Sequence, residues 1–379
     1  MDPSAGAIQK EIKEPREDEY RDIAWGIPKF GEKITPIYIN RGTVRDDDVR
    51  FEMLYNGICH TDCHIGLNHM HRTMYPCVPG HELLGRVVEV GKNVTKFKVG
   101  DNIGVGCIVG SCLECSQCKN GDEQYCMKGM VGTYNGDRKF NLIGGDQDLP
   151  TFGGYSASNV VHQHFVMKIP EGLPLDKAAP IMCAGITMYD PLKHWGACEG
   201  KKMTIGIIGI GGLGTMGIKL AKALGHDVMA ITTSAHKEGL AKEKGATHFC
   251  VSTDPASMQA NAGLCDLILN TISANHDINT YMSLLAKSGT IVQLGLAPAP
   301  HTVSQLPLMF TRKSIAGSLI GGIAATEEVL ELCAKHNILP DCETITASKI
   351  DWAWEQLLGE GGNKDGVRYV IDIKASLED

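Results

Sequence analysis

From about Ala24 to Pro170 the apolar positions come in short β-rich runs, VRFEMLYNGI, LLGRVVEVG, VGDNIGVGCIVG and GGYSASNVVHQHFVMKIP, separated by glycine, proline and acidic turns. This pattern predicts a compact all-β module with irregular insertions. Near Pro174 the period changes. The stretch PLDKAAPIMCAGITMYDPL has helical spacing, and beyond it strands and helices alternate: MTIGII, GLGTMGIKLAKAL, DVMAIT, HKEGLAKEKG, HFCV, LCDLILNT, TIVQLG and SIAGSLIG. Continuous apolar strands between amphipathic helices are what a parallel sheet covered on both faces requires. From Thr326 onward two helical patterns, TEEVLELCAKH and DWAWEQLLGE, precede a strand, VRYVIDIK. The opening MDPSAGAIQKEIKEPREDEYRD is charged and predicts a solvated, flexible arm over residues 1–22. An α/β chain of two domains follows.

Length agrees, since 379 residues exceed the usual ceiling for one hydrophobic core. A composition of 43% hydrophobic and 21% charged residues is that of a soluble globular protein. The 36 basic against 44 acidic side chains leave a net charge of −8, which gives no general attraction to nucleic acid or anionic lipid. Neither is an expected partner. No stretch approaches the roughly 18 to 20 apolar residues of a membrane span, and the first residues carry no apolar signal core, so a cytoplasmic address is expected. In such a reduced compartment the 14 cysteines are free to serve as core residues or metal ligands, and their spacing decides which.

Cys112, Cys115, Cys118 and Cys126 form C-x2-C-x2-C-x7-C, four thiolates close enough to complete a tetrahedral shell around a structural zinc. An iron–sulfur cluster competes, but the final spacing is not the x3-C-P of bacterial ferredoxins. Gly209-Ile210-Gly211-Gly212-Leu213-Gly214 is G-x-G-x-x-G between a β run and a helical pattern, the context in which glycines let the backbone approach a pyrophosphate at a helix N-terminus. Where the second strand ends, an NAD-binding chain would carry an acid. Here stand Thr232, Thr233 and Ser234, with Lys237 close behind, a set that suits a 2′-phosphate and so NADP, or else only caps the next helix. The remaining cluster is Cys59-His60-Thr61-Asp62-Cys63-His64, then Gly80-His81-Glu82 and, far along, Cys183. Two sulfurs and one imidazole would leave a fourth position on zinc for water or substrate, although spacing alone favours reading Cys183 as a packing residue.

The stretches GICHTDCH, PGHELLGRVVEVG, VGDNIGVGCIVGSCLECSQCKNGDEQYC, GGYS, MCAGIT and GIGGLGTMG resemble, in order and from about Ala24 to Lys374, the medium-chain zinc alcohol dehydrogenases, in their NADP-dependent cinnamyl alcohol dehydrogenase branch. The resemblance implies a GroES-like catalytic domain over 23–181 and 322–379 and a Rossmann NADP-binding domain over 182–321. It implies that Cys59, His81 and Cys183 bind a catalytic zinc while Cys112, Cys115, Cys118 and Cys126 bind a structural one. Glu82 matches a carboxylate beside the metal, and Asp62 a partner that orients His81. Thr61 corresponds to the hydroxyl that takes the substrate proton and His64 to the outer end of the relay. Thr187 lies where the family touches the nicotinamide. The reaction so implied interconverts aldehydes and primary alcohols with NADP(H), and a homodimer joined through the last strands of the sheet domains is expected. Polyol (mannitol-type) oxidation and iminium reduction are the alternatives on the same fold, and a cysteine-based redox sensor is the non-enzymatic one. Lignin-type members usually carry aromatic side chains where this sequence has Val131 and Leu319, so the substrate's side chain stays open.

Overall fold

The strands that follow Pro174 assemble, in a computed structural model describing residues 2–140, 142–359 and 366–379, into one six-stranded parallel sheet. Its spatial order is His248–Val251, Asp227–Thr232, Thr204–Ile208, Cys265–Asn270, Leu285–Gln293 and Ser314–Gly317, which in chain order reads 3-2-1-4-5-6. The strands are continuous apolar runs because both faces are covered: Ile205, Ile207, Leu267, Ile268 and Leu269 are all buried. Each such side chain contributes about 1.5 to 3 kcal/mol by leaving water. The order reverses beside Thr204–Ile208, so the glycine turn at the end of that strand opens into the crevice where doubly wound sheets bind ligands.

The β-rich half forms a seven-stranded sheet around Asp48–Gly57, which pairs antiparallel with Leu83–Val90, Ser158–His162 and Arg368–Asp372. The chain therefore returns: its last strand sets Val370 opposite Gly57, in register with the segment that leads into Cys59. The predicted helix DWAWEQLLGE is Ile350–Leu358, and its Glu360 lies outside the described residues, as do Met1 of the arm, Asn141 and residues 361–365. Among the described residues no helix is long and apolar enough to cross a membrane.

The sequence predicts a flexible arm, whereas residues 2–9 lie against the loop after Gly66. Ile8–Gln9 pairs parallel with Met74–Tyr75, and the fully buried Asn68 donates to the carbonyls of Pro3 (2.9 Å) and Ala5 (3.0 Å) while accepting from Thr73 N (3.0 Å). Composition hides this because the arm is held by backbone groups, which no side-chain pattern reports. Asn68→Ala leaves the Thr73 N–H and two carbonyls without that partner, and a loss of about 1 to 3 kcal/mol of stability is expected in urea unfolding.

Candidate active site

The helix His60–Gly66 starts at Cys59, whose extended backbone (φ −114°, ψ 154°) makes it the N-cap. Asp62, one turn in, accepts from the Cys59 N–H at 2.9 Å, and this local closure fixes the cysteine relative to the helix. The same carboxylate accepts from Gly80 N (3.1 Å) and the Tyr155 hydroxyl (3.3 Å) and meets His81 Nδ1 at 3.0 Å. Asp62 is fully buried and four donors converge on it. With Nδ1 thus engaged, His81 turns Nε2 toward Cys183 Sγ, 3.3 Å away, and Cys183 Sγ stands 3.9 Å from Cys59 Sγ.

Three donors separated by 124 residues of chain therefore meet, and Glu82 joins them: the four ligand atoms lie within 4.8 Å of one another. Two sulfurs at zinc–sulfur distance in a tetrahedral shell stand about 3.8 Å apart, so the donor set fits that ion in both chemistry and spacing. The Cys183 thiol and His81 hold the Cys59 sulfur as a thiolate, far below the usual thiol range. Burial pushes the Glu82 carboxyl up, to about 7, against the pull of Arg368. Arg368 pairs with Glu82 Oε1, while Glu82 Oε2 is buried with no partner among the described residues.

Thr61 Oγ lies 3.8 Å from Cys59 Sγ, and His64 sits half-buried at the outer end of the same helix. Thr187 is buried one turn beyond Cys183, its N–H bonded to the Cys183 carbonyl at 2.9 Å. Cys63 is buried, its thiol pushed above the usual range by burial, and it is not among the four donors.

The second cysteine group also closes. Cys112, Cys115, Cys118 and Cys126 bring their sulfurs within 4.8 Å of one another. Backbone N–H groups point at them, Cys112 N to Cys126 Sγ at 3.3 Å and Cys115 N to Cys112 Sγ at 3.4 Å. Such donors suit thiolates, and those of Cys118 and Met127 bring the Cys115 thiol down to about 6.

At the glycine turn, Gly209 has φ +90°, a conformation other residues rarely adopt. A Cβ on Gly214 would stand 1.8 Å from the Gly209 carbonyl, whereas one on Gly211 would meet nothing within 4 Å. The turn is thus tight behind and open in front, and the helix Gly212–Ala223 presents the unpaired N–H groups of its first turn to that opening. Leu213 is part of this first turn. Thr232 is buried and accepts from Ser234 N at 3.2 Å; Thr233 is exposed, and Ser234 makes no side-chain cap. Lys237 Nζ donates to the Ile210 carbonyl at 3.0 Å, which brings a cation to the rim of the turn. These groups fit a dinucleotide carrying an extra phosphate.

Sequence reasoning missed Arg368 and Tyr155. Arg368 is buried against Gly212, where an added Cβ would fall 2.6 Å from its Cδ, so it touches both the glycine turn and Glu82. Its signal was a cation inside the apolar strand VRYVID. Val131 is buried in the pairing of Val131–Gly132 with Ile108–Gly110, and Leu319 is 47% exposed.

Residues 45–171 match the alcohol dehydrogenase GroES-like domain and residues 212–335 the zinc-binding dehydrogenase domain. An NADP-dependent alcohol dehydrogenase of Mycolicibacterium smegmatis is 46% identical over 356 residues, covering 93% of this chain and 98% of the relative. A mannitol dehydrogenase of Petroselinum crispum is 44% identical, with 91% of this chain and 99% of the relative covered. Among solved structures, a cinnamyl alcohol dehydrogenase of Sorghum bicolor aligns with a TM-score of 0.87 at 37% identity, over 94% of this chain and 99% of that one.

Proposed function

The chain belongs to the zinc-binding alcohol dehydrogenase family with a GroES-like domain, and from that membership we propose how its residues carry the interconversion of aldehydes and primary alcohols with NADP(H). Cys59, His81 and Cys183 hold the catalytic zinc, and Cys112, Cys115, Cys118 and Cys126 the structural one. When bound, zinc supplies a Lewis acid for the carbonyl and NADPH supplies the hydride. The convergence of Cys59, His81 and Cys183, three side chains far apart in sequence, carries this reading.

Asp62 keeps Nε2 of His81 aimed at the sulfurs by accepting at Nδ1, and Tyr155 and Gly80 hold Asp62 in turn. Thr61, beside the Cys59 sulfur, takes or returns the substrate proton, and His64 passes it outward. Arg368 keeps one Glu82 oxygen occupied, and the carboxylate offers one oxygen to the donor cluster. Thr187 meets the nicotinamide end of the cofactor, and the turn Gly209, Gly211, Gly212, Leu213 and Gly214 cradles its pyrophosphate. The division into 23–181 with 322–379 and 182–321 puts the reacting groups between the two units.

Thr232, Thr233, Ser234 and Lys237 set the preference for the 2′-phosphate. Thr233→Asp combined with Lys237→Ala removes a cation and adds a repelling charge, so the ratio of kcat/KM for NADPH over NADH should fall by about 10- to 100-fold, the weight of one charged hydrogen bond. Steady-state rates with each cofactor decide this.

The substrate is a small aldehyde of broad or aromatic type, and a turnover screen with NADPH over aliphatic, aromatic and cinnamyl aldehydes tests it; no reduction of any of them rejects the reading. A mannitol arm in the same screen tests the polyol reading, which the Petroselinum crispum relative favours. We place the protein in the cytoplasm, where its 14 cysteines, none of them in a disulfide, stay reduced. The functional unit is a homodimer joined at the edge strand Ser314–Gly317, beside which Leu306, Met309 and Phe310 are exposed. Sedimentation at the mass of a single chain would reject that assembly.

A further inference from the structure

His64 does not end at solvent alone. Its Nδ1 lies 3.0 Å from Nδ1 of His69, so the two rings share one hydrogen, with one nitrogen donating and the other accepting. Their centroids are 5.2 Å apart. His64 is half-buried and His69 exposed, so the contact runs from the protein's interior side to water.

The pair is built rather than incidental. The His69 N–H donates to the His64 carbonyl at 2.8 Å, and Asn68 between them adopts φ +59°. That left-handed turn is held by the buried Asn68 side chain, which bonds to Thr73 N and to the Pro3 and Ala5 carbonyls of the arm. His60, the next imidazole, stands 6.3 Å from His64 by ring centroid but turns its Nε2 to the Leu357 carbonyl at 2.9 Å, away from the pair. Burial, His69 and His60 lower the pKa of His64, and the Cys59 thiolate opposes them. The lowering favours the neutral imidazole, which can accept a proton on one nitrogen while releasing one from the other.

We propose that His69 is the outlet of the proton relay, acting through His64. In aldehyde reduction a solvent proton binds Nε2 of His69, the Nδ1–H bond of His69 breaks as one forms at Nδ1 of His64, and the Nε2 proton of His64 leaves toward Thr61. One proton enters, one leaves, and no electrons move; alcohol oxidation runs the sequence in reverse. This inference rests on the reductase reading above, and it assigns His69 a positioning and relay role with no contact to substrate.

The test uses the full chain with His69→Ala and His69→Gln. In weakly buffered solution His69→Ala should lower kcat for aldehyde reduction about tenfold, at the low end of what a positioned proton carrier contributes, with added imidazole restoring it. Glutamine can hydrogen-bond to His64 but cannot relay a proton, so His69→Gln should be as slow and equally rescued. Independently of turnover, NMR of the ring nitrogens should show one Nδ1 hydrogen shared between His64 and His69, a signal that vanishes in both variants. Unchanged kcat in His69→Ala, or full activity in His69→Gln, overturns the outlet. If the unmodified protein reduces no aldehyde while the shared Nδ1 hydrogen is seen, the reductase reading falls and the outlet with it.

Discussion

His81→Ala and Cys59→Ser are each expected to abolish aldehyde reduction while NADPH still binds. Either change removes one of three donors that meet around a single point, and the remaining pair cannot hold zinc in a shell with one open position. Removing His81 also takes from the fully buried Asp62 its contact at Nδ1, while Cys59 N, Gly80 N and the Tyr155 hydroxyl remain. A Lewis acid contributes several kcal/mol to the barrier, which sets the loss at about a thousand-fold or more. The glycine turn and Lys237 lie on other elements, so NADPH fluorescence titration should return a Kd within a few-fold of the unmodified chain. Near-normal turnover in both variants would contradict the assignment.

Cys118→Ser is expected to cost fold stability before it costs chemistry. Cys118 is one of the two buried members of the four-cysteine loop, its Sγ 3.9 Å from Cys112 Sγ and 3.5 Å from Cys115 Sγ. Structural zinc sites contribute about 10 to 16 kcal/mol of apparent binding energy, and a site cut to three sulfurs keeps only part of it. The loop also braces the rest of the chain: Glu123, just before Cys126, accepts from Ile323 N at 3.1 Å and meets His164 Nε2 at 2.8 Å. One zinc per chain should be lost by mass spectrometry, and the melting midpoint should fall by about 10 °C or more, the scale of several kcal/mol in a large domain. Two zinc ions and an unchanged midpoint would show that these cysteines hold no metal.

The parallel sheet was legible because its strands are unbroken apolar runs, and such runs leave few alternatives once helices alternate with them. The glycine turn was legible because its backbone needs residues without a Cβ. The thiolate loop is local, so spacing alone described it. The three-donor cluster was not legible from spacing: Cys183 is brought to Cys59 by the fold, and only the family resemblance pointed there. Arg368 escaped because one charge in a buried strand reads as an edge feature, whereas the return of Arg368–Asp372 to Asp48–Gly57 places it beside Glu82. The backbone pairing of the arm was not legible, because a charged segment can dock through its backbone without an apolar pattern.

The most direct measurement is an anomalous difference map at the zinc absorption edge from crystals of the unmodified chain grown with NADPH. Two peaks per chain are predicted, one among Cys112, Cys115, Cys118 and Cys126 and the other within bonding distance of Cys59 Sγ, His81 Nε2 and Cys183 Sγ. A map with no peak among those last three atoms, in protein that reduces aldehydes at full rate, would contradict the account.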